Sequence, residues 1–296
     1  MKLAEIWDIT KETATDWVDD GASRLAASLA FYTLLSLAPL VIIAVAVAGI
    51  VLGPEAARGQ IAGELSHIVG RDAAKGIQAV VASARSQTTG TISTLVGVVT
   101  LFIGASGVFG ELQFALNTIW EVRAKPGRGI VGEIKDRFFS FTMVLGVAFL
   151  LLVSLLLSAI LSVVGRGFSD HLPGGEAVWQ AANFGFSFGM ITVLFALIYK
   201  LVPDVRIAWS DVWAGAAMTA LLFTIGKSLL GIYLGKASIG SSYGAAGSLV
   251  VLIVWVYYSV QILFLGAEFT QVVARRRGRR IEPNHKAISL RPATSL

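Results

Sequence analysis

Three ionisable side chains interrupt long apolar stretches of this sequence. Glu111 lies in GVFGELQFAL, Lys227 in LLFTIGKSLL and Glu268 in FLGAEF. Charged groups are costly inside a membrane, where they face a polar pathway or a partner. At about 1.5 Å per residue along a helix, Lys227 is level with Tyr257 and Gln261 of the last apolar stretch. Carboxylates below and an ammonium above predict a path for a charged or zwitterionic group through an apolar bundle.

The same three residues have a second interpretation. The two carboxylates would pair with Arg24, Lys200 or basic residues of the loops, and the Lys227 side chain would extend outward along the apolar surface. The residue types alone leave both interpretations open.

Pro39 follows Ser36 closely in the first apolar stretch, FYTLLSLAPL. Proline removes a backbone donor and frees a carbonyl one turn earlier, which predicts a kink or an unwound stretch. Interrupted helices of this kind line substrate sites in transporters, so Ser36 and Pro39 join the candidates for a substrate path. A purely structural kink is the alternative.

Motifs for enzymatic chemistry are weak. Gly240–Gly244 matches G-x-S-x-G, but it lies between apolar stretches and not in a strand–turn–helix setting, so a Ser242 hydrolase is kept only as an alternative. The chain has no cysteine, and its three histidines fall in separate segments without metal-ligand spacing. The sequence therefore predicts no enzyme, no metal site and no cofactor.

The elements that position these residues are long and apolar. Hydrophobic residues make up 55% of the 296 residues and charged residues only 15%, which is more apolar surface than a soluble protein of this size buries. Six stretches reach the length of about 20 residues that a membrane helix needs. The sequence predicts an all-α polytopic membrane protein with six transmembrane helices over residues 30–52, 92–116, 138–164, 181–202, 212–234 and 248–273.

The flanking segments set the orientation. With both termini in the cytoplasm, 17 of the 24 Lys and Arg residues lie on the cytoplasmic side. Residues 1–29 predict an acidic amphipathic helix that lies along the inner leaflet or caps the bundle, and its acidity favours docking on the protein's own basic loops. Residues 54–91 predict short extracytoplasmic helices. Residues 274–296 predict a basic, disordered tail. Its RRRGRR run favours contact with anionic membrane lipids over nucleic acid.

Small residues at a spacing of four, such as Gly215 and Thr219, let helices approach closely and predict the interior of the bundle. They are also compatible with a homo-oligomer.

Four segments carry a resemblance to a known family: AFYTLLSLAPL at 30–40, ELQFALNTIW at 111–120, YKLVPDVRIAWSDVWAGA at 199–216, and SSYGAAGSLVVLIVWVYYSVQILFLGAEF at 241–269. They resemble the YihY/BrkB family of bacterial inner-membrane proteins. The resemblance implies six spans, cytoplasmic termini and a place in the inner membrane. It implies no nuclease, because the family's earlier ribonuclease BN label is regarded as a misassignment. The family motifs map onto Asp20, Tyr32, Pro39, Glu111, Asn117, Lys227, Tyr243, Gly244 and Glu268.

These observations favour a transporter or lipid translocase of the cell envelope. A lipid headgroup would pass between the charged residues while its acyl chains stay in the bilayer. A scaffold that organises envelope enzymes through residues 1–29 is the alternative from another functional class. The Ser242 hydrolase and a ribonuclease follow as weaker alternatives.

Overall fold

A computed structural model describes residues 3–53, 107–125, 175–236, 247–279 and 281–290, together with single positions at 59, 63, 74, 75, 77 and 78. The described part is mostly helical. Its helices are α1 (Leu3–Asp19), α2 (Ala22–Leu52), α3 (residues 107–119), α4 (Gly175–Leu201), α5 (Trp209–Lys236) and α6 (Gly247–Arg276). Its strands are β1 (Val122–Ala124), β2 (Val205–Arg206), β3 (Glu282–Pro283) and β4 (Ala287–Ser289).

The long helices coincide with predicted spans. Among the described residues, segments 184–201, 209–230 and 249–276 are long and apolar enough to cross a membrane. They belong to α4, α5 and α6 and agree with the spans predicted over 181–202, 212–234 and 248–273. Only the end of the span predicted over 92–116 is described, as α3. The span predicted over 138–164 and most of segment 54–91 lie outside the described residues.

Helix α2 contains the first predicted span but begins earlier. It runs from Ala22 to Leu52 and continues through Pro39. Of the kink or unwound stretch predicted at this proline, the unwound stretch is therefore wrong, and the kink stays a prediction. The predicted helix over residues 1–29 is also corrected, because α1 ends at Asp19 and residues 22–29 already belong to α2. Gly21 makes the break with a φ of 63°, a conformation that glycine adopts without steric cost.

Helix α1 packs against the end of α6. Its buried Ile9 contacts Val272 and Val273, which anchors the apolar face of α1. Its acidic face meets basic residues that follow the last span: Arg276 pairs with Glu12 at 2.8 Å. The acidic helix therefore docks on the protein's own basic residues, as its charge pattern predicted.

Residues 274–276 belong to α6, and residues 281–290 contain two short strands. Over these residues the prediction of a disordered tail at 274–296 is wrong. Strand β3 pairs antiparallel with β2, with Val205 opposite Pro283. Strand β4 pairs antiparallel with β1, with Val122 opposite Ser289. The tail (residues 277–290) thus binds two inter-helix loops. We call the end of the bundle formed by α1, residues 120–125, residues 202–208 and the tail the terminal face.

Helices α4, α5 and α6 form the centre of the described bundle. A side chain at Gly215 would overlap Thr270, and one at Gly266 would overlap Thr219. The hydroxyl of Tyr199 donates to the carbonyl of Leu263 at 2.7 Å and lies 2.8 Å from the Thr219 hydroxyl. The small residues predicted on α5 therefore form a close helix–helix contact, which fixes α5 against α6 in an antiparallel register.

Candidate functional site

Glu268 is the most unusual polar residue of the described chain. It lies on α6, one helical turn before Val272, and its exposed fraction is 0%. Neither carboxyl oxygen receives a hydrogen bond from an N–H or hydroxyl group of the described residues. Buried polar groups are normally hydrogen-bonded, and a buried carboxyl without a donor is costly. Glu268 is therefore a candidate functional residue.

The group that faces Glu268 is the carboxyl of Asp20, in the turn between α1 and α2, within hydrogen-bonding reach. Asp20 is only partly buried. Burial raises the pKa of Asp20 from 3.8 to about 6, the facing Glu268 carboxyl opposes this rise, and the nearby charges of Glu121, Asp16 and Asp19 add to it. Two carboxyls, one reaching water and one enclosed, therefore meet where α1, α2 and α6 join.

Arg275 provides positive charge near this pair. It follows Glu268 by two helical turns, and its guanidinium pairs with Asp16 and with Glu12, the latter at 3.1 Å. Its Nε is buried and has no hydrogen-bond partner among the described residues. Arg275 therefore neutralises the acidic face of α1 and gives no hydrogen bond to Glu268.

Asp204 is a buried carboxylate of a different kind. It accepts hydrogen bonds from the amides of Gln113 (3.2 Å), Asn117 (3.0 Å) and Asn284 (3.0 Å), and its backbone N–H donates to Asn117 Oδ1 at 2.7 Å. These partners lie on α3 and the tail. Asn117, a predicted path residue, is thereby a structural link between α3 and the loop before α5.

Asp211 is the third buried carboxylate, in the first turn of α5. Arg277 and Arg279 of the tail pair with its two oxygens at 2.7 and 3.0 Å. Lys200 lies nearby, donates to the carbonyl of Ile207 and places its ammonium 5.5 Å from the ring centre of Trp209. Lys200 is therefore held by its own loop and does not pair with Glu111 or Glu268, contrary to the alternative drawn from the sequence.

Lys227 lies elsewhere, in a groove between α4 and α5. The side chain is exposed in the described structure. The groove has a volume of about 300 Å³. Its walls contain polar and apolar groups in similar measure and consist of Phe184, Ser187, Phe188, Ile191, Phe223, Thr224 and Lys227. The ammonium group of Lys227 thus lies beside the aromatic and aliphatic side chains of the groove.

The predicted column of Glu111, Lys227 and Glu268 does not line this groove, since neither carboxyl residue is part of its wall. The contacts of Gly215 with Thr270 and of Gly266 with Thr219 put Glu268 level with the residues between Gly215 and Thr219 on α5. Lys227 is therefore about 15 Å farther along the bundle. The described structure therefore places Lys227 and Glu268 at separate levels of the bundle.

Glu111 occupies a third position. The Gln271 amide donates to the Ile119 carbonyl at 2.7 Å, so these residues mark one level on α6 and α3. Counted back from that level, Glu111 lies about 7 Å deeper than Glu268. Glu111 is partly buried and has no hydrogen bond or ion pair with the described residues.

The other predicted residues are dispersed. Tyr32 is partly exposed, with its ring against Gly107 of α3, while Ser36 is buried and donates to the Thr33 carbonyl. Tyr257 and Gln261 lie on α6, and Gln261 Oε1 is buried without a partner among the residues seen. The backbone of Pro39 lies in α2. Tyr243, Gly244 and the alternative nucleophile Ser242 lie outside the described residues.

Sequence reasoning did not single out Asp16, Asp204, Asp211 or Arg275 as individual site residues. Asp16 was predicted only as part of the acidic helix face, and Arg275 only as part of the RRRGRR run. The opposite charges of these two segments were the usable signal, whereas Asp204 and Asp211 had none.

The family described as virulence factor BrkB matches residues 13–290, which include α2–α6, the groove and the terminal face except the first part of α1. The chain belongs to this family. As a BrkB-family chain whose described residues include three apolar helices of membrane-crossing length, it is a membrane protein.

Relatives of this BrkB-family chain are mostly described only as membrane proteins. A UPF0761 membrane protein of Albidiferax ferrireducens is 30% identical over 268 residues, covering 88% of this chain and 61% of the relative. The UPF0761 membrane protein PA0951 of Pseudomonas aeruginosa is 31% identical, covering 59% of this chain and 41% of the relative. The protein YfkH of Bacillus subtilis, named ribonuclease-like, is 25% identical, covering 61% of this chain and 66% of the relative.

The chain thus spans less than two-thirds of the length of each of these relatives. No solved structure matches it significantly.

Proposed function

We propose that this chain translocates a lipid or another amphipathic substrate of the cell envelope across the bacterial inner membrane. The proposal includes six membrane spans, cytoplasmic termini and a non-enzymatic mechanism without a cofactor. Membrane lipids are its partners, and it binds no nucleic acid. The ribonuclease-like name of one relative is a property of that relative. The close-packing helix faces are compatible with a homo-oligomer.

The groove between α4 and α5 is the observation that carries the proposal. Its walls combine the rings of Phe184, Phe188 and Phe223 with one ammonium group, that of Lys227. Acyl chains fit the apolar walls, and an anionic phosphate fits the ammonium and the hydroxyl groups of Ser187 and Thr224. An amphipathic molecule with an anionic headgroup therefore matches the lining.

The position of Lys227 along α5 suits such a substrate. It lies 18 residues after Trp209. This is about 27 Å from the terminal face, in the half of the span away from that face. Because 17 of the 24 Lys and Arg residues lie on the cytoplasmic side of the six-span arrangement, the terminal face is the cytoplasmic one. Lys227 would then meet a headgroup in the outer half of the membrane.

Reconstitution into liposomes tests the proposal. The purified chain should move a fluorescent phosphatidylglycerol between leaflets, and Lys227→Ala should slow that movement about tenfold, the effect of losing one charge-assisted hydrogen bond. Lys11→Ala is the matched control, since Lys11 is an exposed lysine of α1 outside the groove. Equal rates with and without protein, for anionic and zwitterionic lipids alike, would exclude translocation.

A second candidate function, an envelope scaffold, has one observation in its favour. Helix α1 leaves large apolar side chains exposed, with Trp7 at 69% and Val18 at 65%. Exposed apolar residues of this size suit a protein partner or the membrane surface. Replacing Trp7 and Val18 by Ser should abolish co-purification of a partner if the chain is a scaffold, and should leave lipid movement in liposomes unchanged if it is a translocase.

A further inference from the structure

The Asp20–Glu268 pair has a chemical requirement that ion pairs lack. A carboxylate can only accept hydrogen bonds, so two carboxyls bond to each other only when one of them carries a proton. Glu268 has no other donor among the described residues, and its exposed fraction is 0%. A shared proton therefore satisfies the buried group.

We propose that Asp20 and Glu268 form a proton-binding site that exchanges with water through Asp20 and stores the proton on the buried pair. Asp20 is partly exposed in the turn between α1 and α2, whereas Glu268 is enclosed within the bundle. The proton therefore enters from the terminal face. The proposal extends to coupling: proton binding and release supply the energy for translocation, a part that rests on the proposed function.

The surrounding charges oppose full ionisation of the pair. The charged groups that face the pair are Asp16 and Asp19 near the end of α1, Glu121 in the turn before β1, and Arg275 on α6. The guanidinium of Arg24, at the start of α2, lies against the neighbouring Gly21. Three of the five are acidic. Arg275, the nearest cation on α6, is already paired with Asp16 and Glu12. A second negative charge on the pair would thus face an acidic surround in a site of low polarity.

Release of the proton has a structural consequence. Two facing carboxylates repel each other, and one of them lies in the short turn at Gly21, where α1 and α2 separate. The repulsion acts between this turn and α6. The site therefore links a protonation event to the contact of α1 and α2 with a long apolar helix, which is the kind of contact that a transport cycle changes.

Infrared difference spectroscopy tests the site directly. The full chain in lipid nanodiscs is titrated from about pH 5 to about pH 8, which covers the range where a raised carboxyl titrates. The wild type should lose a carboxylic-acid C=O band as the pH rises. Glu268→Gln and Asp20→Asn should each lose this step, whereas Asp8→Asn, an exposed aspartate of the same helix α1, should retain it.

Circular dichroism of each variant establishes folding before the titration is compared. Asp20→Asn alters a partly exposed turn residue, so it provides a folded variant even where Glu268→Gln does not. An unchanged band in both variants, or no titrating band in the wild type, overturns the proton site.

A second measurement addresses coupling. In liposomes, an imposed pH gradient should change the rate of lipid movement by the wild type severalfold. The rate with Glu268→Gln should be the same with and without the gradient. Lipid movement that ignores the gradient in the wild type overturns coupling, while the infrared result decides the site by itself. A chain that moves no lipid at all contradicts the proposed function, and the infrared titration then still tests proton binding.

Discussion

Buried carboxylates near the terminal face have opposite surroundings in two regions of the molecule. Asp204 and Asp211 are almost inaccessible, and each is bound by side chains of the tail and of neighbouring segments. Glu268 is equally buried, but no N–H or hydroxyl donor of the described residues reaches it. The carboxylates of Asp204 and Asp211 thus have hydrogen-bond or ion-pair partners, whereas the Glu268 carboxyl has no N–H or hydroxyl donor among the described residues.

The difference separates structural from functional charge. A buried carboxylate with several donors fixes its neighbours and gains from them, because each partner offsets the loss of hydration. A buried carboxyl that faces only another carboxyl is stabilised by a proton. Removing the group should therefore have opposite effects on stability in the two regions.

The largest effect is expected at Asp204. Asp204→Ala leaves the amides of Gln113, Asn117 and Asn284 without their shared acceptor in a site that is only 5% exposed. We expect a loss of about 3 kcal/mol in the free energy of unfolding, measured by reversible denaturation in mixed micelles. Glu5→Ala, on the exposed side of α1, should cost little. A loss at Asp204 no larger than at Glu5 would remove the contrast.

A smaller effect of opposite sign is expected at Glu268. Methionine has a similar shape without the polar oxygens, so Glu268→Met should leave stability unchanged or raise it by about 1 kcal/mol at neutral pH. The same variant should lose the proton-dependent response described above. Marked destabilisation in the same denaturation assay would show that Glu268 is structurally partnered, which would break the comparison.

The smallest effect is a pH dependence from Asp20. Its pKa is raised from 3.8 to about 6, chiefly by burial, so the native state binds this proton more tightly than the unfolded chain does. The contribution to stability is therefore complete below about pH 4 and is lost as the pH rises through about 6. Thermal unfolding should show a decline over this range in the wild type and in Asp8→Asn, and a flatter profile in Asp20→Asn.

Much of the helical framework could be predicted because long apolar runs determine membrane helices almost locally. The predicted span over 212–234 lies within α5, and the one over 248–273 lies within α6. The acidic face of α1 predicted its docking on basic residues of the chain, since charge complementarity is also visible in the sequence. Burial of Glu268 followed from its place in an apolar run.

The remaining features depend on contacts between distant residues. Strands β3 and β4 contain two and three residues, too few to show an alternating pattern. The sequence of the tail therefore predicts disorder, because its pairing with β1 and β2 is not visible in the sequence. Asp20 and Glu268 are far apart in the chain, and only the family resemblance singled out Asp20. Lys227 and Glu268 were predicted at different levels of one polar column, and the helix register places them about 15 Å apart along the bundle, while a single path that joins them stays a prediction.

The paired tail also determines when this side of the protein can be completed during synthesis. Strands β3 and β4 follow α6 in the chain, so they leave the ribosome after the last long helix and then bind β2 and β1, which were made much earlier. The two loops therefore lack these strand partners until the chain beyond α6 has been made. Pairing of the tail with the loops is thus a late step in the assembly of this side of the protein.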